Sequence, residues 1–152
     1  PLITGVKIQY QSKIKIGVVM KIRKLILGYY AVLFVAFGIL GLVMPSMVST
    51  LIHYDISSSG ATMEFMATYG GLFLGVGGFM FYCIKSNIQA GLVCVLLTMG
   101  AMLISRVIGF GLHGGADYIQ YIYLAGELFT VVLVGLMLAK PINTVTPDLA
   151  VS

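Results

Sequence analysis

Three ionisable side chains interrupt otherwise apolar stretches of the chain, namely Glu64, Arg106 and Glu127. A single charge at the centre of a membrane span costs about 2.5–3.5 kcal/mol on insertion scales, so each of them should have a partner. A guanidinium has five N–H donors and holds two carboxylates at once. We therefore expect both glutamates to flank Arg106 in one pocket, with Tyr69 and His113 as neighbours on the same side.

Such a pocket has two interpretations. Two carboxylates beside one guanidinium leave one negative charge unpaired, which favours a protonated carboxyl or a bound cation and hence a ligand or proton site. A buried charge network that fixes the order and register of the helices is the alternative. The sequence has no P-loop, dinucleotide fingerprint, haem-attachment motif or serine nucleophile elbow. We assign no catalytic residue, metal ligand or cofactor, and enzymatic activity is not favoured.

Four apolar segments must position these residues. Of the 152 residues, 59% are hydrophobic and 9% are charged, whereas a soluble domain carries roughly 25% charged residues. Each segment supplies the ~20 residues that cross a hydrocarbon core of about 30 Å. The loops between them are short, so successive helices should be antiparallel neighbours. The prediction is an all-α, integral membrane four-helix up-down-up-down bundle in residues 20–140, with helices at about 25–52, 61–84, 88–112 and 118–139.

The basic residues predict an orientation in the membrane. Nine Lys and Arg oppose five Asp and Glu, and those that flank the spans are Lys21, Arg23, Lys24, Lys85 and Lys140. In a four-span protein these positions share one side, and by the positive-inside rule that side is cytoplasmic. We therefore expect a multi-pass protein of the bacterial inner membrane with both termini in the cytoplasm. The basic excess serves topology and lipid head groups, so nucleic acid is not an expected partner.

The two ends of the sequence lie outside the predicted bundle. Residues 1–19 place Lys7, Lys13 and Lys15 among Ile and Val, and Met20 precedes a basic cluster typical of a membrane-protein start. Residues 1–19 are interpreted either as an amphipathic segment on the cytoplasmic surface or as an extension upstream of the usual start. Residues 141–152 are expected to form a cytoplasmic tail.

A stripe of small residues marks the second predicted helix. Ala67, Gly71, Gly75 and Gly78 recur at spacings of three and four residues, which lets helix backbones approach closely. We expect this stripe to pack against another helix of the bundle. A groove for a lipid tail, a quinone-like ligand or a partner helix is the alternative.

Three stretches of the sequence resemble a known family. They are the run from Glu64 to Gly75 (EFMATYGGLFLG), Arg106-Val107-Ile108-Gly109, and Gly126-Glu127-Leu128. In this order they resemble an uncharacterised bacterial domain-of-unknown-function family of small four-helix membrane proteins, related to the DoxX-like group, over roughly residues 26–138. The resemblance implies a bacterial inner-membrane location and no established activity. The family pattern has an acidic residue before the glycine of the third loop, where this chain has His113.

The function predicted from these observations is that of a non-catalytic accessory subunit, which packs in the membrane with other helices. The alternative is a small-molecule, lipid or proton-handling protein with a cavity in the outer half of the bundle, lined by Glu64, Arg106 and Glu127. The expected partners are membrane lipids, together with other membrane subunits or further copies of the chain.

Overall fold

The computed structural model describes residues 2–115 and 117–140, and every element in these residues is helical. The elements are α1 (Leu2–Val43), α2 (Pro45–Leu51), α3 (Ser59–Phe65), a π-helical segment (Met66–Leu72), α4 (Phe73–Ser86), α5 (Ile88–His113) and α6 (Tyr118–Ala139). The π-helical segment joins α3 and α4 without a break. The predicted tail, residues 141–152, lies outside the described residues.

Four of these helical stretches are long and apolar enough to cross a membrane: Ile16–Val43, Ser59–Ser86, Ile88–His113 and Tyr118–Ala139. The shortest has 22 residues. At a rise of ~1.5 Å per residue that length covers about 33 Å, slightly more than a hydrocarbon core. The predicted all-α, four-helix membrane bundle is thereby confirmed.

The first predicted helix, about 25–52, is divided near its end. α1 stops at Val43, and Pro45 is the first residue of α2. Proline has no N–H to donate and a fixed φ, so it disrupts a helix interior but suits the first position of a new helix. At its other end α1 extends back to Leu2, so the backbone of residues 2–19 is helical and continuous with the first span. That this extension lies on the membrane surface stays a prediction.

Side-chain caps start the second and third spans. The Ser58 Oγ accepts a hydrogen bond from the Ala61 N–H at 3.1 Å, and the Asn87 Oδ1 accepts one from the Ala90 N–H at 3.1 Å. Both satisfy N–H groups that the first turn of a helix leaves free. Asn87 alone separates α4 from α5. These two helices are therefore an antiparallel hairpin, with the lysine-bearing turn at one end.

We distinguish two ends of the bundle. The terminal end holds the Asn87 turn and the last residues of α6, and the loop end holds residues 52–58, 114–115 and 117. At the loop end, the His53 Nδ1 lies 3.0 Å from the Asp117 Oδ2, and both side chains are exposed. This contact links the first and third loops, as expected for helices that run alternately up and down.

The core lies in the half of the bundle nearer the terminal end, and α1 is its centre. Leu27, Ala31 and Phe34 are almost fully buried and repeat at spacings of three and four residues on one face of α1. They pack with residues of the other three spans: Met80, Cys83, Leu92, Val95 and Val134.

Two polar contacts fasten α6 to α1. The Thr130 hydroxyl donates to the Gly126 carbonyl at 2.7 Å, so its oxygen accepts from the buried Tyr30 hydroxyl at 2.5 Å. At the terminal end, Arg23 is buried, and its Nη2 donates to the carbonyl of Met137 and, at 2.7 Å, to that of Lys140. A cation at the C-terminal carbonyls of a helix also complements the helix dipole.

Candidate functional site

An ion pair between α5 and α6 forms the centre of the candidate site. Arg106 lies about two turns before the end of α5, and Glu127 lies about two and a half turns after the start of α6. Because α5 and α6 are antiparallel, the two residues lie at similar depth. The Arg106 Nη2 donates to the Glu127 Oε1 at 2.8 Å, and its Nε donates to the Oε2 at 3.1 Å. This two-pronged geometry is the strong form of an arginine–carboxylate contact.

Two further residues of α6 surround the guanidinium. The Arg106 Nη1 donates to the Gln120 Oε1, and the Tyr123 ring centroid lies 5.2 Å from the guanidinium carbon, within cation–π range. The Glu127 side chain is 6% exposed and that of Arg106 is 20% exposed. The second acceptor of the guanidinium is therefore the neutral Gln120 amide and not a second carboxylate.

Glu64 does not join this ion pair. Its side chain is exposed and has no hydrogen bond or ion pair with any residue in the described ranges 16–115 and 117–140. The neighbouring Phe65 is 2% exposed and points into the bundle, which turns Glu64 outwards. Glu64 lies in the second turn of α3, near the loop end of the second span.

A cleft of about 570 Å³ opens beside the guanidinium, between the π-helical segment and α5. We call it the Arg106 cleft. Tyr69 lies on one wall, and its ring stacks on that of Phe65 with the centroids 4.6 Å apart. The residues that line the cleft are Tyr69, Ala101, Met102, Ser105, Arg106, Gly109, Phe110, His113, Gly114, Gly115 and Gln120. The structure thus brings Tyr69 and His113 to the cleft, while Glu127 holds Arg106 from behind.

The small-residue stripe (Ala67, Gly71, Gly75 and Gly78) faces outwards. All four residues are exposed. A Cβ added at any of the three glycines would have no neighbouring atom of the described residues within 4 Å. The expected packing of this stripe inside the bundle is therefore not what the structure shows. The glycines of this span that contact α1 are Gly70 and Gly77, about 100° away around the helix. Packing of the stripe against another chain stays a prediction.

Sequence reasoning missed several of the polar contacts. Gln120 and Thr130 are polar residues within an apolar span, and that alone marks them as candidates for interhelical hydrogen bonds. The sequence predicts only an orienting role for the charge of Arg23. Its distinguishing signal is the residue type, because a planar guanidinium suits buried carbonyl contacts better than the ammonium of its lysine neighbours.

Fold and site together define a multi-pass, all-α membrane protein in which a buried carboxylate pairs with a partly buried guanidinium beside an open cleft. The family model described as a domain of unknown function, DUF4345, matches residues 22–138. The chain belongs to this family, and the match includes Arg106, Glu127 and every residue that lines the cleft. No curated protein and no solved structure matches the chain.

Proposed function

We propose that this protein is a non-catalytic accessory subunit that associates with another transmembrane helix through the small-residue stripe. The observation that carries the proposal is the open surface at Gly71, Gly75 and Gly78. Lipid tails are as apolar as leucine, so helices in a membrane associate mainly through close packing and hydrogen bonds. A face without side chains lets the partner backbone approach closely.

The bundle already uses this form of packing internally, which supports the proposal. A Cβ at Gly38 would lie 2.8 Å from the Leu74 backbone nitrogen, and one at Gly77 would lie 2.9 Å from the Val35 backbone nitrogen. These contacts use a different face from the stripe. The second span therefore carries two small-residue faces, one filled by α1 and the other available to a further helix.

Site-specific photo-crosslinking in native membranes tests the proposal. A photoreactive residue at Gly78 should give a protein adduct, and the same residue at Gly135 on α6, which also has open space, should give none. Gly71→Leu should abolish the Gly78 adduct because its side chain fills the groove. An adduct with a second copy would identify self-association, and one with a different protein would identify an accessory role. Absence of any adduct from Gly78 would contradict the proposal.

The proposal includes the bacterial inner membrane, cytoplasmic termini and a relation to the DoxX-like group. The orientation is supported by Lys21, Lys24, Lys85 and Lys140, which precede, join or follow spans at the terminal end, while residues 52–60 and 113–117 contain no Lys or Arg. In spheroplasts, a membrane-impermeant maleimide should label Ser57→Cys and spare Ser86→Cys until the cells are lysed. The reverse pattern would contradict the orientation.

A further inference from the structure

We infer that the Arg106 cleft binds an anionic amphiphile, with a phosphate or carboxylate head group at the guanidinium and an acyl chain along α5. The inference goes beyond helix association, because the cleft lies between the π-helical segment and α5, whereas the stripe is exposed on the outer surface. It is carried by three features of the cleft: its donors, its charge and the order of polar and apolar residues along it.

The donors come from a guanidinium that its protein partners do not saturate. Arginine has five N–H groups. In Arg106 the Nε and one Nη2 hydrogen serve Glu127, and one Nη1 hydrogen serves Gln120. One hydrogen on each Nη atom is left, and the side chain is a cleft wall with 20% exposure. Two remaining N–H groups at such a wall suit an oxygen acid, which accepts several charge-assisted hydrogen bonds.

The side chains that line the cleft favour an anion, because they offer hydrogen-bond donors and the lining includes no carboxylate. Apart from Arg106, the polar side chains among the described residues that line the cleft are Tyr69, Ser105, His113 and Gln120, and none of them is acidic. Each can donate a hydrogen bond. Glu127 holds the guanidinium from behind and is not a lining residue. A cationic head group would therefore meet only hydrogen-bond donors, whereas a phosphate or carboxylate would accept hydrogen bonds from them.

The order of residues along α5 fits an amphiphile. On α5 the polar lining residues Ser105, Arg106 and His113 lie in the part of the cleft near the loop end, with Gly109 and Phe110 between them, and Ala101 and Met102 line its deeper part. From His113 to Ala101 the helix rises about 18 Å, slightly more than half of a ~30 Å hydrocarbon core. A head group at the loop end would thus place its acyl chain towards the centre of the membrane. The volume of about 570 Å³ is within the usual range for ligand sites.

A tryptophan probe tests the inference directly, because the chain has no Trp of its own. Phe110→Trp places the probe in the cleft lining, and Phe129→Trp on α6, where Phe129 is 66% exposed, is the matched control. Each variant is reconstituted in phosphatidylcholine vesicles. Fluorescence quenching is then titrated with dibrominated phosphatidylcholine, dibrominated phosphatidate or dibromostearate at equal mole fraction.

We expect an anionic quencher to act on Phe110→Trp with roughly tenfold higher apparent affinity than phosphatidylcholine, as one charge-assisted hydrogen bond provides. Phe129→Trp should show no such preference. A preference for phosphatidate alone identifies a phospholipid head group, and one for dibromostearate alone identifies a fatty-acid carboxylate. Equal quenching by all three lipids at Phe110→Trp overturns the inference. So does a preference that survives Arg106→Gln/Glu127→Gln, a pair that removes the guanidinium without leaving a buried carboxylate unpaired.

Discussion

Replacing Arg106 by methionine removes the partner of a carboxylate that is 6% exposed. Glu127 would lose the donors that now lie 2.8 Å and 3.1 Å from its two oxygens. Breaking one side of a buried ion pair costs about 3–5 kcal/mol, because the remaining charge is left without compensation. We therefore expect Arg106→Met to lower the free energy of unfolding by roughly that amount.

The double variant Arg106→Met/Glu127→Met separates this effect from a simple loss of packing. Replacing both members of a buried ion pair by apolar residues of similar volume is often neutral. The Gln120 amide would lose one hydrogen bond, a net contribution of about 1 kcal/mol. The double variant should therefore be more stable than Arg106→Met alone.

Unfolding by sodium dodecyl sulfate in mixed micelles, followed by far-ultraviolet circular dichroism, measures both free energies. Glu64→Met is the control, since Glu64 is exposed and its replacement should change the free energy of unfolding by no more than about 0.5 kcal/mol. If Arg106→Met unfolds at the detergent fraction of the parent, or if the double variant is as unstable as the single one, the ion pair does not stabilise the bundle as described.

Three further predictions concern contacts of α1. Gly77→Leu should lower the stability by about 1–3 kcal/mol or more through overpacking, whereas Gly78→Leu, which faces open space, should change it by less than about 0.5 kcal/mol in the same unfolding assay. Thr130→Val should be more destabilising than Tyr30→Phe, because it leaves the buried Tyr30 hydroxyl without its acceptor. A buried polar group without a partner costs about 1–3 kcal/mol of stability. Equal thermal midpoints for the two variants would contradict this hydrogen-bond direction. Arg23→Lys keeps the charge but loses the two-carbonyl contact, so hydrogen exchange should accelerate in the last turn of α6 and not in α5.

The spans and the ion pair could be predicted from the sequence because both rest on large energies. A long apolar run has its lowest free energy across the membrane. A charge inside the run needs a partner at similar depth. Arg106 and Glu127 satisfy that requirement across one hairpin, where a short loop determines the pairing. The sequence predicts the same partner for Glu64, but its position in the second turn of α3 leaves it near the end of the span, where exposure costs less.

The faces of the helices could not be predicted in the same way. When every face of a helix is apolar, hydropathy does not distinguish the surface that meets lipid from the surface that meets protein. Gly70 and Gly71 are adjacent and chemically identical, yet the first packs on Leu42 and the second meets open space. The choice between them depends on how α3 and α4 are rotated, and the π-helical segment between them changes that rotation.

The π-helical segment Met66–Leu72 also has a consequence for how this protein tolerates changes in length. A π turn closes its hydrogen bonds between residues five apart, so it accommodates one residue more than the α-helix in its place. Deleting one residue there would convert the segment into regular α-helix and leave the faces of α3 and α4 in their present directions. The same deletion within α5 would rotate all that follows by about 100°. Among relatives, insertions and deletions within the second span should therefore be concentrated at this segment.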